Sequence, residues 1–172
     1  MTQFLSKIPQ EKAYYIVGFA DGEGSFNISF RKRDDYLIGW KITPVFNISQ
    51  KEKYILALIK RYLGCGTLRL RNDGVWVYEV ENQTLLRTHI VPFFKKYQFL
   101  SQKKKKDFVR FQKILCILDK NSSKTFHDVV QILELLGEIS SKSARKYTDQ
   151  EILERAELFW TQNQEKILRK NL

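Results

Sequence analysis

Between residues 27 and 31 apolar and polar side chains alternate without a break. Ile28 and Phe30 fall on one side, and Asn27, Ser29, Arg31 and Arg33 on the other. A period of two marks a strand with one buried face. The alternation returns at residues 40–49, where Ile42, Phe46 and Ile48 oppose Lys41, Thr43, Asn47 and Ser49. Pro44 inside that run removes a ladder donor, so an edge position or a bulge is expected. Residues 34–39, DDYLIG, make the connecting turn or loop. A third strand, TLRLR, turns Leu68 and Leu70 inward and Thr67, Arg69 and Arg71 outward. Asn72-Asp73-Gly74 then signals a turn into a fourth strand, VWVYEVE.

Elsewhere the apolar spacing is helical. Pro9 suits a first helical turn, and Tyr14, Ile16 and Val17 lead an apolar segment that runs into glycines, giving a helix over about 9–23. Ser49 and Glu52 have capping-box spacing and open a helix with Ile55, Leu58, Ile59 and Leu63, closed by Gly64. Residues 82–97 read as a helix bent at Pro92. From about residue 101 the chain is helical: Ser101 caps a helix reaching Asp119, and residues 125–137 place Val129, Ile132, Leu133 and Leu136 at helical spacing. Thr148 and Glu151 repeat the capping-box spacing before Ile152, Leu153, Ala156, Phe159 and Trp160. The order helix-strand-strand-helix-strand-strand-helices predicts an α+β fold, an antiparallel four-stranded sheet backed by helices on one face. Nothing in 1–172 reads as a linker, so a single domain is expected.

The other sheet face changes the picture. Its outward positions between Asn27 and Arg71 are Arg, Lys, Asn, Ser and Thr, with no acid among those named. A merely solvated face would mix its charges. The whole chain of 172 residues carries 30 Lys and Arg against 19 Asp and Glu, a net charge of +11. Such a surplus calls for a polyanionic partner. A two-stranded ribbon fits a DNA major groove, where Arg reads guanine and Asn reads adenine. With 43% hydrophobic residues the chain can pack a core, and no apolar run reaches the ~20 residues of a membrane span. The start, MTQFLSKIPQEK, lacks the pattern of a signal peptide. Cys65 and Cys116 stand far apart and are expected as reduced, buried thiols of an intracellular protein.

The chemistry concentrates in residues 16–26, IVGFADGEGSF. Gly18 and Gly22 are four apart and share a helix face, where small residues let two helix backbones approach. Glu23 follows at the helix C-terminus, where the macrodipole is negative and carbonyl oxygens point outward. Two such helices side by side would converge two carboxylates on hard oxygen donors that suit Mg²⁺. A metal there lowers the pKa of an attacking water and stabilises charge on a phosphate.

IVGFADGEGSF resembles the signature of the LAGLIDADG homing endonucleases, intron-encoded proteins that cut long DNA sites. The element order agrees over nearly the whole chain, and the second acid is Glu23 rather than Asp, which the family accepts. The resemblance implies a saddle-shaped sheet of the αββαββα type and a double-strand break with short 3′ overhangs. It implies that Glu23 and the carbonyl of Gly22 hold Mg²⁺, with Ca²⁺ or Mn²⁺ able to take its place, and that Asp21 is structural. Gln50 matches a residue that orients the water shell. Lys53 and Lys103 or Lys104, with Lys104 preferred, match cations flanking the cleaved phosphates. Lys142, Ser143 and Lys146 resemble a segment gripping the DNA backbone. Asn27, Ser29, Arg31, Arg33, Lys41, Thr43, Asn47, Arg69 and Arg71 match base-reading positions. Family members carry two motifs or pair as homodimers. The segment LELLGEIS at residues 133–140 lacks a second motif, so a homodimer meeting at Gly18 and Gly22 and a near-palindromic target are implied.

Other features carry less. Asp34-Asp35 suits turn chemistry. His89 and His127 have no metal-ligand spacing, and the lysine run 103–106 reads equally as a solvated helix start. Trp40 and Trp160 suit core or rim, while Trp76 and Tyr78 share a strand face that either meets DNA or packs. Two readings compete with the nuclease: an intron RNA maturase assisting group I splicing, and a non-catalytic DNA-binding regulator. Glu23 argues against the regulator, and no residue excludes the maturase with its intron RNA. The bias of 20 Lys to 10 Arg suits an AT-rich organellar genome, chloroplast or mitochondrion.

Overall fold

The computed structural model describes residues 4–120, 123–137 and 146–170, with side chains as far as Lys166. A 3-10 turn at Leu5–Lys7 precedes α1 (Gln10–Glu23), β1 (Gly24–Lys32), β2 (Trp40–Gln50), α2 (Lys53–Leu63), β3 (Thr67–Leu70) and β4 (Trp76–Val80). There follow α3 (Gln83–Leu85), a π-helical turn at Leu86–Ile90, α4 (Val91–Lys96), α5 (Gln102–Lys120), α6 (Phe126–Gly137) and α7 (Asp149–Lys170). The strands form one four-stranded sheet in the order β1-β2-β4-β3, with β4 antiparallel to β2 and β3. The fold is α+β, as the alternation predicts. Among the described residues no helix is long and apolar enough to cross a membrane.

Several local expectations change. β2 lies inside the sheet rather than at its edge. Pro44 is tolerated because β4 pairs with β2 only over Phe46–Gln50, so the ladder on that flank begins beyond it. The Ser49–Glu52 capping box does not form. Ser49 belongs to β2 opposite Val77, and Glu52 starts α2 without a side-chain cap. The helix expected over 82–97 does form, as one uninterrupted helical run over residues 83–96 between the Asn82 cap and Tyr97, but its turn at Leu86–Ile90 widens to a π-helix just before Pro92, which lacks a donor. Cys116 is exposed, although Cys65 is buried as expected.

The described residues gather into two compact units. The first comprises Met1–Asn27 and Pro44–Gln112. At its centre Phe26 lies 5.0–6.0 Å, ring to ring, from Phe46, Phe94, Phe99, Phe108 and Phe111. Each such aromatic pair adds about 0.5–1.5 kcal/mol beyond the burial of its area. The amphipathic α2 sends Leu56, Ile59 and Leu63 into the same unit, all fully buried. It ends at Gly64, whose φ of 67° only glycine adopts freely and whose N–H bonds the Lys60 carbonyl at 2.9 Å. Tyr78 is wholly buried and donates its hydroxyl hydrogen to the Cys65 carbonyl at 3.2 Å, so it packs rather than faces a ligand.

The second unit comprises Ile28–Thr43 and Lys113–Leu172. Trp40 is its buried centre and donates from its indole nitrogen to the Ile152 carbonyl at 3.0 Å. Val129, Ile132, Ile152 and Ala156 pack where α6 meets α7. Arg155 of α7 lies 4.2 Å over the Phe159 ring and donates to the Gly39 carbonyl at 3.0 Å. It also ion-pairs with Asp34, and Asn163 donates to the Leu37 carbonyl at 3.1 Å. The loop between β1 and β2 is thereby tied to α7 at three points. The Thr148–Glu151 capping box forms in full, with Thr148 N–H to the Glu151 carboxylate at 2.7 Å and Glu151 N–H to the Thr148 hydroxyl at 3.1 Å.

Candidate active site and nucleic-acid interface

α1 passes into β1 without a loop: Glu23 is the last helical residue and Gly24 the first of the strand. A Cβ on Gly24 would stand 2.5 Å from the Ala20 carbonyl oxygen, so only glycine fits that junction. Glu23 and Gly22 are exposed there, at a helix end whose last carbonyls have no intrahelical partners. Two residues earlier Asp21 is half-buried. Its carboxylate accepts the N–H of Leu100 at 3.1 Å, the N–H of Ser101 at 2.9 Å and the Ser101 hydroxyl. Burial alone would raise its pKa. The Ser101 and Leu100 hydrogen bonds and the charge of Lys104 outweigh that and leave it below the usual carboxylate value.

That tether fixes the start of α5. Ser101 Oγ accepts the Lys104 N–H at 3.2 Å, and the Lys104 ammonium donates to the carbonyl of Gly24. Lys104 is thus the lysine of the 103–106 run held against the motif, while Lys103 is exposed. Desolvation lowers the Lys104 pKa, and the negative charges of Asp107, Asp21 and Glu23 oppose that shift. Asp107 is nearly buried, with its Oδ1 3.7 Å from Arg110 and without a hydrogen-bond partner.

Gln50 and Lys53 form a second group. Gln50 ends β2 and accepts the Lys51 N–H on its side-chain oxygen at 2.7 Å. Its partner across the ladder is Trp76. Lys53, the first residue of α2, sets its ammonium 4.4 Å over the Trp76 ring. This contact carries no signal in the sequence, because the two residues stand on different elements.

Among the described residues no group of three His, Cys, Asp or Glu side chains could hold a metal ion. What the chain does offer is one exposed carboxylate beside outward carbonyls, the hard donor set of half a Mg²⁺ site. It fits a metal shared between two copies. Consistent with that, α1 exposes Tyr14 at 57% and Tyr15 at 47%, and a Cβ on Gly18 or Gly22 would meet nothing within 4 Å among the described residues.

The outward strand residues divide between the two units. In the second, Ser29, Arg31 and Arg33 are exposed and Lys41 and Thr43 half-buried. Arg33 pairs with Asp35 at 2.7 Å, and Lys146 lies 5.4 Å over the Tyr147 ring. In the first, Asn27 accepts from Ser25 Oγ at 3.1 Å. Asn47 stands across from Glu79, Arg69 pairs with Glu79 at 3.5 Å, and Arg71 pairs with Asp73 at 2.7 Å. Glu79 is an acid on the outward face that the strand reading overlooked, although the alternation of β4 signals its side. Lys142 and Ser143 lie outside the described residues.

An αββαββ succession whose first helix ends in the exposed Glu23, with Lys104 held against the carbonyl of Gly24, is the arrangement these residues build. The chain belongs to the LAGLIDADG endonuclease family, which it matches over residues 16–115. It is 35% identical over 124 residues to "Probable intron-encoded endonuclease 2" of Neurospora crassa, covering 70% of this chain and 27% of that protein. It is 27% identical over 146 residues to the homing endonuclease I-ApeII of Aeropyrum pernix, covering 81% of this chain and 86% of that one. The structure of the archaeal intron-encoded homing endonuclease I-Vdi141I complexed with DNA superposes on 87% of this chain and 96% of that chain. Its TM-score is 0.75 at 31% identity. The chain therefore spans most of the archaeal relatives but about a quarter of the fungal one.

Proposed function

We propose that residues 1–172 act as one endonuclease domain that, as a homodimer, makes a site-specific double-strand break in DNA with short 3′ overhangs. The observation that carries this reading is the helix end at Glu23, exposed beside a lysine that Asp21 and Ser101 hold in place. Glu23 and the Gly22 carbonyl would hold Mg²⁺ or a related divalent ion, which when bound would activate a water and stabilise charge on the phosphate. Lys104 and Lys53 supply cations beside the phosphate, and Gln50 offers an amide to orient the attacking water. The open glycine face of α1 supports pairing with a second copy, which brings the second carboxylate and predicts a near-palindromic target.

Asn27, Ser29, Arg31, Arg33, Lys41, Thr43, Asn47, Arg69 and Arg71 are the proposed base readers, with Lys103 and Lys146 on the backbone. The intron-encoded relatives support an organellar gene. Glu23→Gln is expected to abolish cleavage of the target while leaving its binding largely intact, measured by gel cleavage and by anisotropy on the same duplex. A variant that still cuts would remove Glu23 from the reaction.

A further inference from the structure

Trp76 touches both members of the second group, Gln50 across the ladder and Lys53 through its ring. The register puts it on the face of β4 that carries the buried Tyr78, opposite the outward face of Glu79, Asn47 and Arg69. The residue is half-buried, and its backbone is paired on both sides of β4, with Gln50 as its partner on β2 and Leu70 on β3. Two residues on, Tyr78 anchors the strand by its buried hydroxyl. The ring therefore rises from a strand paired on both sides and offers a platform at the end of the sheet.

Lys53 needs such a platform. Its ammonium ends a flexible four-carbon stem and stands in the first turn of α2, where the helix dipole disfavours a cation. Arg33, Arg69 and Arg71 each pair with a carboxylate. Among the described residues no carboxylate pairs with Lys53. An acid would hold the lysine but cancel its charge. An aromatic face holds it through the ring quadrupole and leaves its full charge for a phosphate.

We propose that Trp76 is a positioning residue for DNA cleavage, its indole holding the Lys53 ammonium, uncompensated, beside Gln50. The proposal rests on the reading of Lys53 as a cation of the cleavage site.

The test compares Trp76→Ala, Trp76→Phe, Lys53→Met and the double variant Trp76→Ala/Lys53→Met. Thermal melts establish that each is folded. Single-turnover cleavage at saturating enzyme should fall about 2–5-fold in Trp76→Ala, the scale of one exposed cation–π contact, while the Kd for the duplex stays within about 1.5-fold, under one such contact. Trp76→Phe should recover most of the rate, and the double variant should be no slower than Lys53→Met alone. Losses that multiply in the double variant, or a loss confined to Kd, would overturn the positioning role. Proton–carbon NMR gives a readout independent of cutting. The Lys53 ε-methylene should be shifted upfield by the indole in the wild-type chain and lose that shift in Trp76→Ala. Its absence in the wild type overturns the contact itself. A wild-type chain that cuts no duplex overturns the endonuclease reading instead, and with it any role in cleavage.

Discussion

Asp21 and Glu23 are two residues apart and do opposite things. Glu23 is exposed, whereas Asp21 spends its charge on capping α5. The folded pKa of Asp21 lies below its ordinary 3.8. Its stabilising effect is thus fully present above pH 3.8 and is lost as pH falls through the folded value. Asp21→Asn should cost about 0.5–2 kcal/mol at neutral pH, the range for a lost helix cap. In urea unfolding that gap should close in strong acid, where the wild-type carboxylate is also neutral. A gap that persists there would mean that the charge of Asp21 is not what matters. The sequence makes both acids of the motif legible, and it places Glu23 at a helix end, where the structure has it. The partner of Asp21 is Ser101, 80 residues away, a pairing that only the folded chain brings about. Choosing Lys104 among four adjacent lysines likewise depends on which one the cap turns toward Gly24.

At the scale of elements, equal sequence signals meet different fates. Thr148-x-x-Glu151 caps α7, while Ser49-x-x-Glu52 caps nothing, because the β2 ladder claims Ser49 first. Thr125 and Asp128 form a third such pair at the start of α6, with reciprocal bonds of 2.8 and 3.2 Å. Strands were legible through their alternation, since burial on one face selects it directly. The π turn inside the helix of residues 83–96 was not, because Pro92 allows a kink or a π turn and packing decides between them. The loop joining β1 and β2 shows the same dependence. Its turn residues are evident in sequence, but its shape is held by Arg155 and Asn163 from the far end of the chain. Arg155→Ala should raise amide hydrogen exchange across residues 33–39 and cost about 1–3 kcal/mol, the range for losing hydrogen bonds to a charged group. Exchange in α2 should be unchanged. Equal acceleration in both would mean that Arg155 supports the fold at large rather than this loop.

For the whole molecule, the net charge of +11 and the exposed tyrosines of α1 concern what lies outside a single chain. Sequence reading reached the family and the need for a polyanion, because charge and motif are additive properties of residues. For the second copy the glycine spacing of α1 supplies an opening and the resemblance an expectation, since an interface is not encoded by any one chain's core. Gly18→Leu separates the two levels. Leucine improves helix propensity by roughly 0.8–1 kcal/mol, and a Cβ there meets nothing within 4 Å among the described residues. The isolated chain should therefore melt higher while sedimentation reports a monomer and cleavage is lost. A Gly18→Leu chain that still sediments as a dimer would move the interface elsewhere.

The missing loop after Glu23 has a consequence for accuracy. Helix and strand share a peptide bond at Gly24, and a side chain there is forbidden by the Ala20 carbonyl. If, as proposed, Glu23 acts on the backbone and Asn27 reads a base, the two are graduations on one ruler with no loop between them. The base that Asn27 accepts would then fix which bond lies under the acid, and no loop would be there to absorb an error of register. Such a chain would either cut in phase with what it reads or not seat at all.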